Sequence, residues 1–524
     1  MSRATAFLTM DRIKGVQYSS QCGDILGSYT DGYILDFQER LGLGRMAPIQ
    51  KRRERRRIYH LLFSLACATP YLLVILVITV AALHSSYTHK PAHYKDLADQ
   101  CLGLEPGCAN KHNEKVFIAA SIYDEEGQLA GGAWGKAVKD LVNMLGPENV
   151  FVSVYENDPD PEAKDALERF GKNLKCNSSI VSEHISYDEL PHITYPSGEK
   201  RLKRVAFLAE VRNRALRPLD QSASVNATSP GVRFDKILYL NDVIFKPIEA
   251  AQLLFSTNMQ ADGRTNYRAA CATDFINPFK FYDNFATRDL DGYSMGIPFY
   301  PWFTDAGNGH SRQDVLDQKD AVRVRSCWGG MVAFEAKWFQ VPALDDDKST
   351  PDREKSPPGT LPIRFRAEND TFWDASECCL IHADLQYPRS PTTDRGAESG
   401  IFMNPFIRVA YDASTLSWLP WTRRPERLYS VIHNILNHAM GLPWHNPRRT
   451  EEPGTEATER VWRYEPESWR QFENGEIDHP EGSFEEVNRV VGPGRFCGIR
   501  MAAVINEHPK KGEHRWEVLP VPPA

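Results

Sequence analysis

A basic block that runs directly into one uncharged apolar span, with a long polar region behind it, is the feature that most constrains this chain. Lys51, Arg52, Arg53, Arg55, Arg56 and Arg57 stand against Leu61–Leu83, and no Asp, Glu, Lys or Arg occurs from Ile58 through His89. A helix over that span is about 35 Å long at about 1.5 Å per residue. It crosses a hydrocarbon core of roughly 30 Å with some tilt. Basic flanks stay on the cytosolic side. The layout predicts a cytosolic tail over 1–60, a transmembrane signal anchor over 61–83, and translocation of everything after it. A cleaved signal sequence is the competing reading, with Val80, Ala81 and Ala82 as small residues near a cut. The span begins about sixty residues in, however, and is longer than an h-region of about 7–15 residues. A buried helix of a soluble protein leaves the six basic residues unexplained. Pro70 is compatible with a membrane helix.

Charge and cysteine usage bound the rest. The first sixty residues hold eleven Lys/Arg against six Asp/Glu, while the whole chain is −7, so the remainder carries −12. An acidic domain argues against a nucleic-acid partner. It does not argue against an anionic small molecule, because a divalent cation supplies the missing positive charge. Cys101, Cys108, Cys176, Cys271, Cys327, Cys378, Cys379 and Cys497 fall beyond the span. In an oxidising compartment that even number permits disulfides whose pairing is not legible. Cys101 and Cys108 are close enough to close a small loop, and no cysteine pair has zinc spacing. Glycosylation triplets at Asn177, Asn226 and Asn369 agree with a lumenal location.

Residues 84–114 read as a short stem. From Lys115 the pattern alternates strand and helix. Val116–Ile122 (VFIAASI) fits a buried parallel strand, and 131–145 carries Ala137, Val138, Leu141, Val142 and Leu145 at helical spacing. Val150–Tyr155 is a second strand, Glu162–Phe170 a helix, Ser179–His184 a third strand, 201–217 a helix and Lys236–Leu240 (KILYL) another strand. This rhythm predicts an α/β domain with a mostly parallel sheet and right-handed crossovers. Ligands of such sheets sit beyond the carboxyl ends of the strands, where acidic groups stand at 124–126, 156–158 and 241–242. Residues 343–360 read as a charged surface loop. Residues 441–524 show few periodic segments and form a C-terminal extension to a domain spanning 115–440.

Asn241-Asp242 is the sharpest chemical candidate, because a carboxylate closing a central strand can hold Mg²⁺ or Mn²⁺ against a diphosphate. Only one acid of an Asp-x-Asp triplet is present there; a turn cap is the plain alternative for Asp242. Arg212-Asn213 can reach a phosphate, or form a solvated helix face. Asp274 follows a small apolar stretch and is a further cleft candidate. Trp328-Gly329-Gly330 pairs an aromatic face, suited to a sugar, with glycines that allow close backbone approach. Glu377 is a candidate reacting carboxylate and His382 a further metal ligand; a buried short strand is the alternative for this segment.

Eight stretches then carry a resemblance: FIAASIYDEE (117–126), NMLGPENVFVSVYENDPD (143–160), EVRNRALRPL (210–219), ILYLNDVIFKP (237–247), AACATDF (269–275), FYDNFATRDLDG (281–292), RSCWGGMVAFEAKWF (325–339) and ASECCLIHADL (375–385). In this order they resemble the fungal α-1,3-mannosyltransferases of glycosyltransferase family 69, which include capsule-associated and cryptococcal mannosyltransferases. The resemblance implies a GT-A-like fold, a single-pass type II Golgi enzyme, a GDP-mannose donor, a glycan acceptor and Mn²⁺ or Mg²⁺. It implies that Asp242 holds metal, that Glu156, Asn157, Arg212 and Asn213 face the donor, and that Trp328, Gly329, Gly330 and Met331, with Glu377, face the acceptor or the reacting carbon. His382 as a further metal ligand and Asp274 as a donor-side residue are added from their own side-chain chemistry. Two rival expectations remain. One is a non-catalytic, membrane-anchored carbohydrate-binding or export factor, favoured by Asn241 standing in place of an acid. The other is a transferase for another nucleotide sugar.

Overall fold

The computed structural model describes residues 48–103, 105–195, 198–221, 232–341, 362–387, 399–507 and 515–521. The N-terminal tail up to residue 47, the loop expected at 343–360 and Asn226 lie outside the described residues. One helix, α1, runs Pro48–Leu83, and its Leu62–Leu83 portion is long and apolar enough to cross a membrane. Residues 76–524 form one compact unit, so the expected boundary at 440 is not a break in the fold.

The unit is built on a nine-stranded sheet. Its strands in chain order are β1 Val116–Ile122, β2 Val150–Asn157, β3 Asn177–Glu183, β4 Lys236–Leu240, β5 Ala269–Phe275, β6 Arg288–Asp289, β7 Val322–Ser326, β8 Met331–Glu335 and β9 Ile401–Ala410. In space they lie β3-β2-β1-β4-β8-β5-β9-β7-β6. The first four pair in parallel, β8 runs antiparallel between β4 and β5, and β5 pairs in parallel with β9. The mostly parallel α/β architecture is the one expected. Strand bounds read from the pattern agree to within two residues, and Lys236–Leu240 coincides.

The apolar runs are continuous because both faces are covered. In β1, Phe117 and Ala119 enter one core layer, and Val116, Ile118 and Ala120 the other. In β4, Ile237 and Tyr239 alternate with Leu238 and Leu240 in the same way. Helix α2, Ala133–Leu145, buries Trp134, Val138, Leu141 and Leu145 on the second layer and ends at Gly146, whose φ of 86° no side-chained residue adopts easily. Helix α3, Pro161–Lys172, starts where the Asp160 carboxylate accepts the Ala163 N–H at 2.7 Å, with Pro161 in its first turn. Helix α4, Arg204–Gln221, lies on the first layer, and α5, Pro247–Ser256, on the second.

The last eighty residues are stitched into the domain by contacts of high sequence separation. A hairpin pairs Glu456–Tyr464 with Gly482–Val490. Cys497 is joined to Cys379, and Asp374–Ala375 pairs with Gly498–Ile499. The buried Arg288 guanidinium donates to the carbonyls of Phe496 (2.9 Å) and Cys497 (2.7 Å). Cys101–Cys108 and Cys271–Cys327 are the other disulfides among the described residues, and Cys176 and Cys378 are free. Because Cys379–Cys497 closes 118 residues, Cys497→Ser should cost about 2–5 kcal/mol, read as a lower thermal midpoint than that of the unaltered chain.

Candidate functional site

The carboxyl edge of the sheet gathers side chains from seven segments. β4 delivers Asn241 and Asp242. α4 delivers Arg212, and the turn before β8 delivers Trp328, Gly329 and Gly330. Glu377 opens helix α6, Glu377–Gln386. The end of β5 brings Asp274, the loop after it Asp283, and the end of β9 Tyr411.

Arg212 joins most of these groups. Its Nε donates to Glu377 Oε1 at 3.0 Å and its Nη1 to Asn241 Oδ1 at 3.1 Å. Its guanidinium lies 4.6 Å from the Trp328 ring and 5.6 Å from the Tyr239 ring. Burial alone would lower its pKa, but the Cys378 sulfur and the Glu377 carboxylate beside it hold it above the ordinary arginine value. Trp328 Nε1 donates to the same Asn241 oxygen at 3.2 Å, and Trp134 Nε1 to the Asn241 carbonyl at 3.0 Å. Asn241 is therefore an acceptor hub, which explains an amide where a second acid was expected: its Oδ1 takes two donors without adding charge.

The glycines are fixed by geometry. Gly329 has φ +57°, and a Cβ there would stand 2.0 Å from the Ala272 carbonyl oxygen. Gly330 has φ +67°, its carbonyl accepts the Asn241 N–H at 2.9 Å, and a Cβ would meet Val243 at 2.6 Å.

Carboxylates crowd the other side. The Asp274 carboxylate is wholly buried; it accepts the Tyr411 hydroxyl at 2.9 Å and the Asp283 N–H at 3.1 Å. Burial and the Asp283 charge push its pKa up to about 7. Asp283 is also raised, by burial first, against the pull of the Ala286 N–H and with Glu377 repelling it. Burial raises Tyr411 as well, and the charges of Asp274, Asp283 and Asp242 add to it. Asp242 is open to solvent yet ringed by protein, and that enclosure raises its pKa against the attraction of Arg212. Asp242 is the solvent-open carboxylate of the three and the one a divalent oxygen-seeking cation can reach, while both oxygens of Asp274 are taken by Tyr411 and the Asp283 N–H.

Several expected site residues sit elsewhere or do other work. His382 is a core side chain: its Nδ1 meets the Cys378 carbonyl at 2.7 Å, its ring lies 5.7 Å from Phe334, and burial pushes its pKa down to about 4. Its neighbours Cys271 and Cys327 form a cluster of ligand-type atoms with it, but those sulfurs are bonded to each other and are not thiolates. The metal role expected for His382 is corrected accordingly. Trp328 is buried, with its ring taken by Arg212, so it offers no open face for sugar stacking. Asn213 holds the Phe365 backbone through both ends of its amide, at 2.8 Å each. Asn157 accepts the Ile185 N–H at 2.9 Å and supports a turn. Glu156, at the end of β2, accepts the Asp124 N–H at 2.8 Å, leaves Oε2 buried without a partner, and is raised by burial to about 7. Asp283 and Tyr411 had no role in the sequence reading. Asp283 stands within the quoted stretch FYDNFATRDLDG, whereas nothing in the sequence marks Tyr411.

The sequence model of the family described as Cryptococcal mannosyltransferase 1 matches residues 115–384. No curated protein matches the chain. Similar solved structures include a mannosyltransferase from Pyrobaculum calidifontis in complex with GDP-Man and Mn²⁺ (TM-score 0.30, 10% identity, 72% of this chain and 76% of that one). Another is mannosyl-3-phosphoglycerate synthase from Rubrobacter xylanophilus (0.28, 12%, 79% and 96%). A third is glucosyl-3-phosphoglycerate synthase from Mycobacterium tuberculosis with Mg²⁺ and UDP (0.28, 11%, 78% and 97%).

Asp274 gives a pH-dependent test. Its folded-state pKa lies above the ordinary carboxylate value, so the folded chain holds more protons and stability falls as pH rises from about 4 to about 7. Asp274→Asn keeps an acceptor for the Asp283 N–H without the charge. Its thermal midpoint relative to the unaltered chain should rise over that window and level off above it. Gly329→Ala should lower the midpoint at every pH, by about 1–3 kcal/mol for the αL strain alone and more for the Ala272 clash.

Proposed function

The chain belongs to the cryptococcal mannosyltransferase 1 family, and from that premise we propose that it transfers mannose from GDP-mannose to a mannoside in α-1,3 linkage with retention. The proposal includes a GT-A-like fold, a single-pass Golgi anchor and a lumenal catalytic domain. One observation supports it most: a solvent-open carboxylate, Asp242, closes a central strand inside the matched segment and is flanked by Asp274, Asp283 and the Arg212–Glu377 pair.

In this reading Asp242 would hold Mn²⁺ or Mg²⁺, with Asp283 on the neighbouring loop as a second candidate ligand, and the ion would supply positive charge against a diphosphate. Arg212 fixes Glu377 so that its carboxylate orients the acceptor hydroxyl and steadies the positive charge that develops at the anomeric carbon. Arg212 and the Cys378 thiol both donate to Glu377 Oε1, which leaves Oε2 for the ligand. Gly329 and Gly330 let the turn pack directly on the Ala272 carbonyl and on Val243, which fixes the turn beside Asn241.

The test is to incubate the purified full chain with a panel of nucleotide sugars, Mn²⁺ and mannose disaccharides. Transfer from GDP-mannose alone is expected. Transfer from another donor replaces the substrate, and sugar binding without turnover favours the non-catalytic factor. Asp242→Ala should abolish transfer with an unchanged thermal midpoint, and chelator should do the same to the unaltered chain. Glu377→Gln should lower kcat by about 10²-fold or more.

A further inference from the structure

Helix α8, Tyr429–Met440, is inside out. Its polar residues face the protein: His433 and Asn437 are buried, and Asn437 Oδ1 accepts the Ile297 N–H at 2.7 Å. Its apolar stripe faces out, with Val431 and Ile435 four residues apart and Ile432, Leu436 and Met440 repeating the same interval. Helix α7, Ala413–Thr422, buries Leu419 and turns Trp418 and Trp421 outward, 56% and 66% exposed. Trp444, just beyond α8, is 60% exposed. An apolar face of this extent marks an interaction surface.

Charge and tethering select the occupant. From Ala413 to Arg449 the only acidic side chain is Glu426, and it is buried in a bidentate pair with Arg408 at 2.7 and 2.9 Å. The face is thus apolar, rimmed by Trp and by basic groups such as Arg424, which is the composition of an element lying in a membrane interface. The chain also brings the membrane to it. α1 ends at Leu83, and Tyr87 is already locked in the domain. The Tyr87 carbonyl accepts Arg423 Nη1 at 3.0 Å, and its ring lies 4.9 Å from Phe406. Arg423 is the residue that follows α7. Four residue steps reach at most about 15 Å. The end of the apolar span is therefore held close to the root of this face.

We propose that α7 and α8 lie on the lumenal leaflet of the bilayer that α1 crosses, with Trp418, Trp421, Trp444 and the Ile432–Ile435 stripe in its interface. This rests on the anchor reading above. It makes the domain a surface-lying enzyme rather than one swinging on its stem, and it places the site at a defined height over the membrane. Phe279 connects the two regions, since its ring meets Tyr429 at 6.1 Å and its loop leads to Asp283.

The test uses the full chain in phosphatidylcholine vesicles with plain or bromine-bearing acyl chains, since bromine quenches nearby tryptophan. Leu61–Leu83 contains no Trp, so the span itself is silent. The expected result is that brominated lipid removes about a quarter of the emission, three of the eleven tryptophans. The triple variant Trp418→Phe, Trp421→Phe, Trp444→Phe should lose that quenching and keep its thermal midpoint. Retention of the chain through an alkaline wash with equal emission in both lipids overturns the docking alone. Release by the wash overturns the anchor reading and the docking with it. Cross-linking between copies through Ile435→Cys without quenching assigns the face to a second copy and also overturns the proposal.

Discussion

The whole site depends on one enclosed guanidinium. Arg212 comes from a helix on one side of the sheet and binds groups from two other segments, the amide closing β4 and the acid opening α6, while lying over the indole of the Gly-Gly turn. A charge removed from water at this depth is tolerable only when paired and hydrogen-bonded. Each partner is therefore held where Arg212 requires it. Glu377 gains its place from the pairing, and Asn241 gains a reason to be neutral. Arg212 is thus primarily a positioning residue, and its reach toward a phosphate, expected from the sequence, is secondary in this structure.

Opposite that cation stands a surplus of negative charge. Burial raises Asp242, Asp274 and Asp283, the Asp283 charge raises Asp274 further, and all three raise the buried Tyr411 beside them. Such crowding is unfavourable in an empty cleft and favourable once a cation or a basic ligand arrives. The cost is borne by a rigid surround: two apolar layers, a glycine turn with no room for a side chain, and the Cys379–Cys497 link behind α6.

The strands and their carboxyl-edge acids were legible because burial on both faces forces long apolar runs, and such runs end abruptly in polar residues. The C-terminal segment was not legible. Its hairpin alternates exposed residues on both faces and carries little hydrophobic period, and its attachment is made by Arg288, Cys497 and the short Asp374–Ala375 pairing, which no local pattern announces. The same holds for His382. Its acid-flanked setting suggested a ligand, but which face of a short, wholly buried helix meets a disulfide is decided by packing.

Read alone, the amino-acid order determined the basic-apolar layout, the alternating strand and helix, the acid after KILYL and the set of segments shared with a family of mannosyltransferases. These are local or ordered properties, and chain connectivity preserves them. Tertiary structure alone decided that Arg212 holds Glu377, that Asp283 and Tyr411 join Asp242 and Asp274, that Trp328 packs on a cation rather than opening to solvent, and that α8 turns its apolar stripe outward. Each of these is a meeting of residues tens to hundreds of positions apart. Its energy comes from burial and charge pairing across the sheet edge, and no window of sequence contains both partners.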